Sequence, residues 1–112
     1  MSKLVIRGTF IIETQDGLLV HPKVIELLRE IDKTGSLNSA VTSIAMSYSY
    51  AWNIIQKTNC QLNTPLVITR RGGNGGGIAK LTPEGKKLLN YCNKVEKDLI
   101  KFVGVHSLQL KA

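Results

Sequence analysis

The stretch that decides the fold runs from residue 36 to residue 62 and reads SLNSAVTSIAMSYSYAWNIIQKTNCQL. Ser36 is a good N-cap, and Leu37, Ala40, Val41 and Ile44 lie on one face of a short helix that ends near Met46. Ser47 caps the next helix, with Ala51, Ile55, Thr58 and Leu62 as its inward stripe and Ile54 beside it. Two short helices joined by a tight turn therefore fill 36–62. Toward the N-terminus, Pro22 suits a first helical turn, and Val24, Leu27, Leu28 and Ile31 recur at helical spacing before Gly35. This predicts a helix over 22–34.

Toward the C-terminus, Leu66 to Thr69 reads as a strand, the glycine-rich run 72–77 as a loop, and Ile78 to Leu81 as the returning strand. A hairpin is expected over 66–81. Thr82 and Pro83 then open a helix over 83–103, along which Leu88, Cys92, Val95, Leu99 and Phe102 recur at steps of four and three, the narrow seam of a helix that pairs with another. At the other end, Leu4, Ile6, Phe10 and Ile12 fall on alternate positions, Asp16 and Gly17 signal a turn, and Leu18, Leu19 and Val20 can return. An N-terminal hairpin is expected over 1–20. The fold class is mainly α with small β hairpins, a winged helix-turn-helix in one domain spanning residues 1–112.

That order of elements proposes a duplex-DNA reader, its third helix in the major groove and its hairpin, the wing, on the backbone. The outward face of the third helix presents Ser49, Asn53 and Gln56, flanked by Ser47, Tyr48, Tyr50 and Lys57. Asn and Gln each offer a donor and an acceptor to adenine, Lys reaches guanine or phosphate, and the hydroxyls suit phosphate oxygens. Trp52 lies to one side of the buried stripe and is expected to pack within the protein. In the wing, Arg70, Arg71, Asn74 and Lys80 are candidates to follow the backbone. The charge agrees: the net is +7, with six basic and five acidic residues in 1–64 but nine and three in 65–112.

Other classes find little support. Neither phosphate-loop glycine spacing fits 72–80, and the loop leads to a strand where those motifs need a helix. Cys60, Cys92, His21 and His106 have no ligand spacing, so neither metal nor cofactor is expected. No nucleophile–base pair or paired carboxylates suggest catalysis. The N-terminus has no signal-peptide quality, and a cytoplasmic protein without a membrane partner is expected. The rival reading is a winged-helix module for a protein partner, which added salt would weaken far less than DNA binding.

Gly35-Ser36-Leu37, Ala40, Met46-Ser47-Tyr48, Ala51-Trp52, Pro65-Leu66-Val67, Arg71-Gly72-Gly73, Gly75-Gly76-Gly77 and Leu81-Thr82-Pro83-x-Gly85 together resemble the N-terminal DNA-binding domain of the ModE family of molybdate-responsive regulators, over roughly residues 20 to 90. A looser likeness to LysR-type regulators lies in the same helix-turn-helix and wing. The resemblance implies a transcription-regulating homodimer held by its first and last helices, which brings Leu27 and Leu28 to the interface beside Leu88, Cys92, Val95, Leu99 and Phe102. Full-length members carry molybdate-binding domains after this part. With the sequence ending at Ala112, the chain resembles the stand-alone members, and molybdate is not expected as its ligand.

Overall fold

A computed structural model describes residues 2–15, 17, 19–62, 64–70, 77–106 and 108–110. The elements run β1 (Ser2–Leu4), β2 (Ile12–Glu13), β3 (Leu19–Val20), α1 (Pro22–Thr34), α2 (Leu37–Ser43), α3 (Tyr48–Leu62), β4 (Val67–Arg70), β5 (Ile78–Leu81), α4 (Pro83–Gly104) and β6 (Leu108–Leu110). This is a mainly helical winged helix.

The helix periodicities become one core. Val24, Leu27, Leu28 and Ile31 of α1 meet Leu37, Ala40 and Val41 of α2, Ala51 and Ile55 of α3, Ala79 and Leu81 of the wing, and Leu89 and Cys92 of α4. None of these is more than 5% exposed.

The joints between helices are built from caps. Gly35 ends α1 in the left-handed region at φ 71°, its N–H donating to the Ile31 carbonyl at 2.8 Å. Ser36 then runs extended, accepts at Oγ from the Ser39 N–H to cap α2, and bridges to Ile78, while Ala79 N–H donates to the Gly35 carbonyl at 3.0 Å. One dipeptide thus ends α1, starts α2 and holds the wing. Between α2 and α3, Ala45 takes φ 54°, and Ser47 Oγ accepts from the Tyr50 N–H at 3.1 Å.

Thr82 plays the corresponding part for α4. Its hydroxyl accepts from the Gly85 N–H at 3.0 Å and donates to the Pro65 carbonyl at 2.7 Å. Arg29 of α1 crosses to α4, donating to Asn93 Oδ1 at 2.8 Å and pairing with Glu96.

The N-terminal region departs from the alternation in its sequence. The hairpin is short, β2 against β3, whereas β1 pairs antiparallel with β6 and residues 5–11 lie outside any strand. Leu4 and Ile6 remain 44% and 46% exposed, because a strand face is stabilised only where another layer covers it. Gly8 instead runs beside α4, with methyls of Leu99 and Val103 3.7 Å from where its Cβ would stand.

Candidate nucleic-acid interface

Because Ala51, Ile55 and Thr58 are turned into the core, the 3.6-residue period fixes what the far side of α3 shows. Ser47, Ser49, Asn53, Gln56 and Lys57 are all exposed. Tyr48 and Tyr50 are each about half exposed, and Trp52 is partly buried against the core, in line with its expected packing role. Cys60, seven residues after Asn53 and hence on the same face, is also exposed, and as a small apolar side chain it carried no polar signal in the sequence.

The wing stands on the flank of α3 that carries Asn59, and that residue explains the attachment. Its side-chain amide donates to the Val67 carbonyl at 3.0 Å and accepts from the Leu66 N–H at 2.8 Å, extending the wing's hydrogen bonding onto the helix. Asn59 was not distinguishable in the sequence from a solvent-facing amide. In the wing register, Val67 pairs with Leu81 and Thr69 with Ala79 on the inner face, leaving Ile68, Arg70, Ile78 and Lys80 together on the outer one. Arg70 and Lys80 are therefore presented on a single exposed surface. Arg71 and Asn74 lie outside the described residues.

Electrostatically the region is one-sided. From Lys33 through Pro83 the sequence contains no Asp or Glu, so all eight acidic residues lie outside the helix-turn-helix and the wing, which carry Lys57, Arg70, Arg71 and Lys80. Such a surface favours a polyanion. On the other flank of α3, a cleft of ≈ 380 Å³ separates it from His21 and Gly17.

No family model matches the chain. It is 34% identical over 87 residues to a molybdenum-pterin-binding protein, MopB, of Rhodobacter capsulatus, 78% of this chain and 32% of that one. It is 34% identical over 86 residues to the transcriptional regulator ModE of Haemophilus influenzae, 77% and 34% of the two chains. The DNA-binding transcriptional dual regulator ModE of Escherichia coli K12 is 35% identical over 79 residues, 70% and 30% of the two. The chain spans about a third of the length of these relatives. Over the aligned stretch it resembles the ModE regulators.

The residues that carry the ModE resemblance are largely the joints described above. Gly35 and Ser36 link α1, α2 and the wing, Ser47 caps α3, and Thr82 caps α4. Gly85 is required by close approach, since a Cβ there would lie 2.1 Å from the Leu66 carbonyl oxygen. The ModE signature is in this respect a record of backbone joints.

The expected dimer contacts need correction in part. Leu27, Leu28 and Cys92 are 0%, 3% and 0% exposed, consumed by the chain's own core, and offer a second copy no surface. The four-and-three seam does not separate the two neighbours at its start, and Leu89, not Leu88, is the buried one. Further along, Val95 and Leu99 are partly covered, whereas Phe102 is 63% exposed. Among the described residues, no helix is long and apolar enough to cross a membrane.

Proposed function

We propose that this chain is a cytoplasmic, non-enzymatic transcription regulator that binds duplex DNA as a homodimer, with α3 in the major groove and the wing on the backbone. The observation that carries the reading is the exposed face of α3, rich in amides and hydroxyls, set beside a cationic wing in a region devoid of acidic residues. Relatedness to a protein named as a DNA-binding transcriptional regulator supports it. The molybdenum in other relatives' names describes those proteins, of which this chain matches about a third.

Within this reading Asn53 and Gln56 contact base edges, Ser47, Tyr48, Ser49 and Tyr50 contact sugar-phosphate, Lys57 contacts guanine or phosphate, and Arg70, Arg71, Asn74 and Lys80 hold the backbone from the wing. A second copy covers the outer half of α4 through Val95, Leu99 and Phe102. Selection from random-sequence duplex DNA tests it: one enriched motif with two-fold symmetry is expected, and no enrichment above input would overturn it. On that motif, Asn53→Ala is expected to cost about 1–3 kcal/mol while leaving affinity for random duplex nearly unchanged.

A further inference from the structure

The cleft beside α3 lies on the flank opposite Asn59 and the wing. Tyr50, Asn53, Lys57 and Gln61 line it from α3, His21 and Gly17 face them from the start of α1 and the β2–β3 connection, and Val24 and Ile54 contribute apolar surface. It thus holds one lysine, an imidazole, a phenol and two amides, and no carboxylate among its described lining. His21 occupies the N-cap position of α1 without a side-chain capping bond, so its ring is not committed to the helix.

We propose that this cleft seats a phosphodiester of the DNA strand facing away from the wing, so that α3 is gripped on both flanks. The inference rests on the DNA-binding reading and adds a second backbone contact to it. A helix with its side chains is about 10–12 Å across and the major groove about 12 Å wide, so both flanks of an inserted helix meet a phosphate wall. The wing attends to one wall. On the other, Lys57 supplies the charge, while the Tyr50 hydroxyl and the Gln61 amide N–H groups supply neutral donors to the phosphate oxygens.

The test places a negative charge in the cleft and then removes the charge it opposes. Gln61→Glu is compared with wild type on the selected motif, on random duplex, and on motif duplexes carrying an uncharged methylphosphonate at one phosphate position, the same in both half-sites, at a time. Gln61 is exposed, so the thermal midpoint and dimer mass are expected to hold. The variant is expected to bind motif and random duplex about tenfold more weakly, and neutralising one phosphate in each half-site, on the strand away from the wing, should abolish the difference. His21→Ala should weaken both duplexes severalfold. Wild-type affinity in Gln61→Glu, or a loss that no single phosphate position relieves, overturns the proposal while leaving the DNA-binding reading intact. Wild-type protein that selects no duplex overturns that reading itself.

Discussion

At Gly85 a single missing methyl holds the α4 N-terminus against the strand that starts the wing. Gly85→Ala would push a Cβ into the Leu66 carbonyl, a backbone atom that cannot swing aside, and would displace the Thr82 bonds that cap the helix. A loss of at least about 2 kcal/mol is expected in urea unfolding. Gly104→Ala, where nothing lies within 4 Å, should be near neutral. Cys92 makes a different residue-scale point, since burial first, opposed by Arg29 and assisted by Glu96, raises its thiol above the ordinary range. The unfolded thiol then ionises at lower pH than the native one, so this group's contribution is intact below about pH 8.5 and is lost as pH rises above it. Urea titrations from pH 7 to 10 should show a steeper alkaline decline for wild type than for Cys92→Ser. At pH 8, iodoacetamide should label exposed Cys60 rapidly and Cys92 only at the rate of unfolding.

Among the elements, α3 and the wing are joined by Asn59 rather than by apolar contact alone. Asn59→Ala removes both side-chain bonds and leaves the Leu66 N–H and Val67 carbonyl without them, which is expected to cost about 1–3 kcal/mol. Faster hydrogen exchange at the Leu66 amide, beyond that of helix amides in α1, would show that the wing loosens first. The same joint ties the strand that carries Arg70 to α3. In α3, the inward stripe was legible because Ala51, Ile55 and Thr58 follow the helical period, and the outward face followed as its complement. Asn59 was not legible, because its partners are main-chain groups seven and eight residues away, brought back only when the chain turns into β4.

Taken whole, the molecule is extended. Its radius of gyration is 17.0 Å, against about 13 Å for a compact chain of this size, and its longest dimension is 60 Å. At the end of α4, Ile100 and Phe102 are 61% and 63% exposed, and Val105 just beyond it is 77% exposed. Isolated apolar side chains on a surface are ordinary, but Phe102 shares a face of α4 with the partly covered Val95 and Leu99, which leaves a stripe that a second copy could cover. With Val95→Asp and Leu99→Asp combined, a monomer is expected in sedimentation equilibrium, since a second copy would bury unpaired charges. A variant that sediments as the dimer would remove this face from consideration.

The sequence by itself determined the helices, their caps, the wing and the absence of acidic residues from the helix-turn-helix and wing, because these depend on neighbours within about four residues and on composition. Leu27 and Leu28 show the limit: their spacing marks a buried face, yet only packing decides whether that face meets the chain's own core or another copy. The N-terminal segment shows it again. Leu4, Ile6, Phe10 and Ile12 alternate as a strand would, but strand pairing needs a partner, and the tertiary structure gave one to Ser2–Leu4 at Leu108–Leu110 and another to Ile12–Glu13 at Leu19–Val20. The cleft against His21 likewise exists only in three dimensions, because Lys57 and His21 are far apart in the chain and come to line one cleft only in the folded molecule. Local periodicity reports which way a side chain turns, and tertiary packing decides what it finds there.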